Sequence, residues 1–522
     1  MIKLSKFYIT TAIDYPNAKP HIGQAYEKVI ADVIARWHRI KDEDVFFLTG
    51  LDEHGQKIER VAEKAGKTPK EFVEEMKVFF EQLCDNLNIS NNEFIRTTEK
   101  NHENNVTEIL KKVFENGDIY KGTYEGLYCV SCEAFYTKKD AVDGKCPVHK
   151  MKLDILKEES YFFKLSKYQE KIIEHIKNNK DFIFPEFRRN EILNRLQEDL
   201  RDLSISRTNF SWGIPLPKEI TKTEKGHITY VWFDALTNYA TALCKGVSIR
   251  EVTINQENKI GDARNQNNNF EKYWPPDVQV IGKDILWFHT VIWPAILLSY
   301  GIALPKTILV HGFINIGGEK LSKSRGVFVD PVEIVEKYGA DTLRYFLMRE
   351  IPFGDDGDFS EESLVNRHNS ELADTLGNLV NRVLVLVEKN FDGAVPETGE
   401  RDKLSELAIE TPEKVKASIE NYQFHNALND IWHLISEANK YINENKVWEI
   451  KDKKKLGGIL YNLLETLRFV SILTYPFIPE TAGKIMEQIG LEKKFSYNDL
   501  KWGLLKEGIK IRRGEVLFKK IK

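Results

Sequence analysis

The sequence predicts an α/β protein: a doubly wound parallel sheet, interrupted by a small inserted domain and followed by an all-α helix bundle. Three observations predict it. Short apolar, β-branched runs alternate with amphipathic stretches over residues 1–115, and strand runs return after residue 226. Cysteines, glycines and aromatics crowd residues 120 to 150. Beyond Asp330-Pro331, apolar residues recur at i, i+3, i+4 almost to the end, as in a helix bundle.

Taken in order, Phe7 to Ile13 reads as a buried strand that Pro16, Asn17 and Pro20 break. From Ala25, Val29, Val33 and Trp37 repeat at helical spacing, with Ile30 and Ile34 beside them. His21 and Gly23 therefore sit where a strand turns into a helix N-terminus. That end offers unpaired N–H groups and partial positive charge, suited to phosphate. Val45 to Gly50 is a second strand, and Asp52 follows it at the edge where parallel sheets take their ligands. Helices are expected from Thr68 to Leu87 and from Glu103 to Asn116. Residues 116–225 form the insertion. Strand signals return at His227 to Asp234, Val278 to Asp284 and Thr307 to Gly312, which implies one sheet interrupted in sequence. Residues 226–330 complete it, 331–365 link it onward, and 366–522 form the bundle. Helices are expected over 341–349, 371–391, 422–445 and 456–474. The charge run Lys451 to Lys455 reads as a solvated turn.

Composition excludes several classes. With 42% hydrophobic and 30% charged residues, the chain is neither disordered nor fibrous. A net charge of −4 leaves any nucleic-acid contact to local patches. Five cysteines in 522 residues do not make a disulfide framework. Leu286 to Leu304 is nearly all apolar, but His289, Pro294 and Ser299 mark it as a core helix rather than a membrane span. The N-terminus shows no signal-peptide pattern, so a cytoplasmic, membrane-free protein is expected.

Two stretches carry metal and phosphate chemistry. Cys129-x-x-Cys132 and Cys146-x-x-His149 present four N/S ligands on two short turns, the set that tetrahedral zinc takes. Four protein ligands leave no open position, so the metal is structural. Lys320-Leu321-Ser322-Lys323-Ser324, beside Gly317-Gly318, can bring two point charges to a triphosphate on a flexible loop. Alone, each of the His21 and Lys320 stretches reads as a capping turn and a basic turn. Cys84 and Cys244 lie on apolar stretches and are expected in the core.

In this order, His21-Ile22-Gly23-Gln24 and Lys320 to Ser324 resemble the paired ATP-binding signatures of class I aminoacyl-tRNA synthetases. Tyr128 to Glu133, Tyr230 to Ala235, Gly282 to His289, Gly377 to Arg382 and Val447-Trp448 extend the resemblance nearly end to end, to the methionyl-tRNA synthetases. The resemblance implies a Rossmann-like catalytic domain over 1–115 and 226–330. It also implies a connective insertion with the zinc knuckle and an anticodon-binding bundle. It implies that His21, Gly23, Lys320, Lys323 and Arg207 serve catalysis, and that Pro16, Gln24 and Ser322 join His21, Gly23 and the two lysines around ATP. Methionine would lie among Ile13, Tyr15, Asp52, Trp232, Ala235, Tyr239, Phe288, His289 and Ile292. Asp52 would pair with its ammonium group; on residue type alone it could equally be a helix N-cap. Without the family, Arg207 would be a surface arginine. Asn378, Arg382 and Trp448 would read the anticodon, since Asn and Arg suit base edges and Trp stacks an unstacked base.

The implied partners are ATP with Mg2+, L-methionine, and elongator and initiator tRNA(Met). The implied metal is one structural zinc. Gln24 stands where the family has a second histidine, Leu321 where methionine is usual, and Val327 where asparagine is usual. The chain ends at Lys522 without the dimer-forming domain some members carry, so a monomer is expected. The rivals are a class I relative for another amino acid and a nucleotidylyltransferase. The first would need an editing domain or an open zinc, and the second would not need the helical half.

Overall fold

The computed structural model describes residues 5–129, 134–136, 141, 143–148, 150–222, 226–258, 269–317, 319–320 and 328–522. The strands in chain order are β1 (Lys6–Thr11), β2 (Asp44–Leu51), β3 (Glu93–Arg96), β4 (Ile119–Cys129), β5 (Ala134–Tyr136) and β6 (Asp154–Phe163). There follow β7 (Ile183–Phe184), β8 (Leu203–Ser204), β9 (Ser206–Arg207), β10 (Ile228–Thr229), β11 (Val278–Gly282) and β12 (Thr307–His311). The last three are β13 (Ile314–Ile316), β14 (Glu319–Lys320) and β15 (Gly357–Asp358).

Six of these form one parallel sheet in the order β3-β2-β1-β11-β12-β7. The central strands are buried on both faces, as their continuous apolar sequences require. Strand order reverses between β1 and β11, whose register pairs Ile9 with Val278 and Thr11 with Val280. At such a switch point a crevice opens beyond the carboxyl ends of the strands. Here that edge carries Ile13 to Tyr15 after β1, Asp52 after β2 and Lys283-Asp284 after β11. The sheet is thus interrupted in sequence, as expected. Its outermost strand, β7, comes from within residues 116–225, so that segment also completes the sheet.

The first four helices are α1 (Ile22–Ile40), α2 (Gln56–Lys64), α3 (Pro69–Asn86) and α4 (Lys100–Glu115). One expected strand is different: only Ile228 and Thr229 are extended, and Val231–Leu236 is a short helix. A brief run apolar on every side carries no period to tell strand from helix. The apolar stretch after β11 is a π-helical turn, Phe288–Ile292, followed by the helix Trp293–Tyr300. Single π turns recur at functional sites.

The C-terminal half packs the helices Asn378–Phe391, Lys403–Glu420, Phe424–Glu444, Lys453–Thr474 and Pro479–Gln488. Among the described residues, Lys453–Thr474 is the helix whose length and apolarity would let it cross a membrane, and 94% of its apolar window is buried in the bundle. The supposed turn at Lys451 to Lys455 is exposed, but Asp452 caps this helix by accepting from Lys454 N and Lys455 N, so the last three residues are helical. One continuous apolar cluster joins α1, Val278 and Val280 of β11, and the bundle helices. Cys84 and Cys244 are core residues, with burial pushing both thiols upward in pKa.

Candidate functional site at the switch point of the sheet

His21 is the N-cap of α1. Its Nδ1 accepts from Gly23 N at 3.1 Å, and Gln24 Oε1 accepts from His21 N at 2.9 Å. The capping role and the phosphate role are compatible. A ring that accepts at Nδ1 carries its proton on Nε2, the nitrogen then able to donate outward. Gln24 locks the turn that presents it.

The chain that follows the lysine stretch returns to this turn at Val329. Ile22 N donates to Val329 O at 3.3 Å, so the chain leaving the loop is stitched to the first residue after His21. The loop's other side is anchored by β13, which pairs with β14 and with β15. Lys320 has its backbone in β14; Ser322 and Lys323 lie outside the described residues. Gly312 precedes β13 at a point where a Cβ would meet Asp355 O at 2.0 Å, so only glycine fits that approach.

The aromatic residues converge. Trp232 and Phe288 stack with ring centroids 3.8 Å apart and planes 11° apart, and His289 meets Trp232 edge-on at 6.4 Å. Ala235, Tyr239, His289 and Ile292 are buried, whereas Ile13, Tyr15, Trp232 and Phe288 stay half-buried. The group therefore has a closed floor and a partly open wall. His289 donates from Nδ1 to Ile285 O at 3.1 Å, and Tyr239 OH donates to His289 Nε2 at 2.7 Å. Tyr8 OH in turn donates to Tyr239 O at 2.7 Å. Desolvation pushes the His289 pKa down to about 4, so the ring is neutral at pH 7.

Asp52 is not a helix cap: α2 is capped by Gly55. Its backbone N–H donates to Asp14 O at 2.8 Å, which holds the β2 exit against the β1 exit. Arg207 is buried rather than on the surface, at 2% exposure. Its guanidinium donates to Ser204 Oγ at 2.9 Å and Ser206 O at 2.7 Å, and lies over the Tyr230 ring at 4.5 Å and the Tyr128 ring at 5.7 Å. Tyr128 and Tyr230, remote from it in sequence, are brought over that guanidinium only by the fold.

Polar residues that sequence reasoning missed underlie this edge. Lys28, fully buried on α1, pairs with Asp14 and donates to Thr49 Oγ1 at 3.2 Å. Burial lowers its pKa, but Asp14, Cys84 and Glu27 together outweigh that and leave it raised. Asp32 is held by Arg36 and by Arg344 of the helix Ala340–Glu350, both at 2.7 Å. Lys28, Asp32 and Arg36 stand four apart on one face of α1, a pattern the sequence displays. Glu53 is buried under Arg96, whose Nε donates at 2.8 Å. Asp234 is gripped by His54 and His102.

The knuckle is described in part. Cys129 ends β4 and pairs opposite Ala134 of the antiparallel β5. Cys146 follows the Lys145–Lys152 bridge, and its N–H donates to Met151 O at 2.8 Å. Both cysteines are buried and form one small cluster with Leu153. Among the described residues, these two thiols are brought into one buried cluster, with Leu127 and Ala141 packed against it, an arrangement whose donor chemistry fits a zinc held by thiolates. Cys132 and His149 lie outside the described residues.

On the bundle, Asn378 is exposed and Arg382 half-buried on one helix, and Trp448 is 61% exposed in the turn after the helix Phe424–Glu444. Arg382 donates to Asn443 Oδ1 at 2.7 Å, which ties the two helices together near that turn.

A parallel sheet with a histidine-capped helix N-terminus at its switch point, followed by a helical bundle, is the architecture of a class I aminoacyl-tRNA synthetase. The family model described as "tRNA synthetases class I (M)" matches residues 7–154 and 150–384, and the one described as "Anticodon-binding domain of tRNA ligase" matches 403–511. The chain belongs to the methionyl-tRNA synthetase family. It is 47% identical to the methionine–tRNA ligase of Caldanaerobacter subterraneus subsp. tengcongensis, over 99% of this chain and 79% of that protein. It is 43% identical to that of Thermotoga maritima, over 99% and 80%. Its fold is similar to Mycobacterium tuberculosis methionyl-tRNA synthetase in complex with methionyl-adenylate, with TM-score 0.90, 39% identity, and coverage of 99% of this chain and 100% of that one.

Proposed function

We infer that this chain is a methionine–tRNA ligase. It activates L-methionine with ATP to methionyl-adenylate and pyrophosphate, then passes methionine to the 3′-terminal adenosine of tRNA(Met). The observation that carries the reading is the aromatic cluster at the switch-point edge: Trp232 stacked on Phe288, with a neutral, buried His289 edge-on to it. Apolar walls with polarisable rings suit a thioether and give a charged side chain no counter-ion.

A methionine carboxylate oxygen attacks the α-phosphorus. The bond from that phosphorus to the bridging oxygen breaks, and pyrophosphate leaves. The nucleophile belongs to the substrate, so the protein's work is positioning and charge neutralisation. In this assignment Asp52 holds the substrate ammonium, and Ile13, Tyr15, Trp232, Ala235, Tyr239, Phe288, His289 and Ile292 enclose the side chain. Pro16, Gly23 and Gln24 shape the nucleotide seat. His21 Nε2 donates to phosphate, and Lys320, Ser322 and Lys323 hold the leaving pyrophosphate. ATP enters as its magnesium complex, which offsets phosphate charge. Arg207 sits behind the Tyr230 ring, at the root of the helix that carries Trp232. Cys129, Cys132, Cys146 and His149 would hold a structural zinc, which supplies cross-linking and no chemistry. Asn378, Arg382 and Trp448 take the anticodon of elongator and initiator tRNA(Met). We place the catalytic domain at 1–115 and 226–330 together with β7, the insertion in the rest of 116–225, the link at 331–365 and the anticodon domain at 366–522, in a cytoplasmic monomer.

Amino-acid-dependent ATP–pyrophosphate exchange across the twenty amino acids tests the reading. Methionine should support exchange far above the others. Better exchange with another amino acid, or none with any, overturns it.

A further inference from the structure

Asp234, whose carboxylate has no role in the assignment just given, lies in sequence between two of the residues assigned to methionine, Trp232 and Ala235. It belongs to the short helix Val231–Leu236, two residues after Trp232. His54, two residues after Asp52, approaches Asp234 Oδ2 from the β2 exit with Nδ1 at 2.7 Å. His102, near the start of α4, approaches Oδ1 with Nε2 at 2.6 Å. His102 Nδ1 lies 2.7 Å from Thr241 Oγ1. All three side chains are almost fully buried.

A carboxylate only accepts, so both facing ring nitrogens carry N–H groups. Burial alone would raise the Asp234 pKa; His54 and His102 outweigh it and hold the carboxyl below its ordinary value. Burial lowers the His54 pKa, but Asp234, Glu103 and Glu53 together outweigh it and leave it raised. The far side of His54 is closed by Trp212, whose ring lies edge-on at 5.5 Å and whose Nε1 donates to Glu53 O at 2.6 Å. Charge buried this completely costs more than an apolar packing of the same volume would, so it is a device for geometry more than for stability.

We propose that Asp234, clamped by His54 and His102, is a positioning residue for methionine: it fixes the Trp232 helix against the Asp52 loop, and so sets the distance between the thioether pocket and the ammonium site. The inference rests on the pocket reading given above. The clamp ties three elements that are remote in sequence, the β2 exit, α4 and the Trp232 helix. Loss of either imidazole leaves one carboxylate oxygen without its donor and lets the two halves of the methionine site move apart. A displacement of about 1 Å between reacting groups costs on the order of 10²-fold in rate.

The test is pyrophosphate exchange by the full chain, with KM for methionine and KM for ATP measured separately. Asp234→Asn should raise KM for methionine at least about 10-fold, within that range, and leave KM for ATP unchanged. His102→Gln, on the side of Asp234 contributed by α4, should show the same split to a smaller degree. It decides the matter if Asp234→Asn does not fold. Trp232→Ala serves as the reference: it should raise KM for methionine directly. If Trp232→Ala has no such effect, the pocket reading fails, and the clamp with it. If Trp232→Ala acts on methionine but neither clamp variant does, or the clamp variants weaken methionine and ATP equally, the pocket reading stands and the clamp is overturned.

Discussion

The switch-point edge of the sheet and the surface of the helical bundle solve recognition in opposite ways. The edge is built on buried charge: Lys28 with Asp14, Asp32 with Arg36 and Arg344, Glu53 with Arg96, Asp234 with two histidines. The bundle hides apolar side chains and leaves its candidate readers outside, with Trp448 mostly exposed beside a buried Val447. A site where charge develops must exclude water and hold its dipoles before the reaction, so the polar groups go inside. A site that receives an unstacked base from solvent needs only a rigid face to display a ring. Damage to the edge should therefore cost stability and chemistry together, while damage to the bundle surface should cost tRNA recognition alone.

The largest effect is expected at Lys28. Lys28→Met leaves the Asp14 carboxylate buried without its partner, a loss of about 3–5 kcal/mol. Thermal or denaturant unfolding should show it, and a change near zero would mean that the pair contributes nothing to the edge. Next comes the lysine loop. Lys323→Ala should slow adenylate formation by about 10²–10³ while methionine affinity is retained. Single-turnover kinetics with a methionine titration would reveal equal losses, and such losses would remove Lys323 from the phosphate.

A smaller effect concerns pH. His289 is buried with its pKa pushed down to about 4, whereas the unfolded chain binds that proton near pH 6.5. Between those values the unfolded state holds more protons, so stability falls as pH drops from 6.5 toward 4 and levels off below. A shift of that size is worth about 3 kcal/mol at most. His289→Gln should flatten this part of the stability profile relative to the parent chain. An unchanged slope between pH 6.5 and 4 would show that the ring is not kept neutral.

The two regions also differed in how far the sequence revealed them. The sheet strands were legible because β-branched runs followed by turn residues have few alternatives: β11 and β12 begin at Val278 and Thr307 as expected, and β1 and β2 begin one residue before Phe7 and Val45. The His21 turn was legible because a proline-rich break before a periodic helix leaves one place for the N-cap. The Trp232 segment was misjudged as a strand because its tertiary neighbours, not its own pattern, choose the helix. Arg207 could not be placed, since the rings over its guanidinium are those of Tyr128 and Tyr230, far from it in sequence. The clamp at Asp234 was invisible for the same reason: its histidines stand at positions 54 and 102. The charges on α1 were visible at their four-residue spacing, but a periodic row of charges reads as a solvated face until the fold covers it.

The division of labour between the two regions is tested most directly by Trp448→Ala, assayed in parallel for methionine-dependent pyrophosphate exchange and for tRNA charging. Loss of one stacked base is worth about 1–3 kcal/mol. Exchange should stay at the level of the parent chain while charging efficiency falls by the corresponding factor. Charging that is unaffected, or exchange that falls in step with it, would contradict the account.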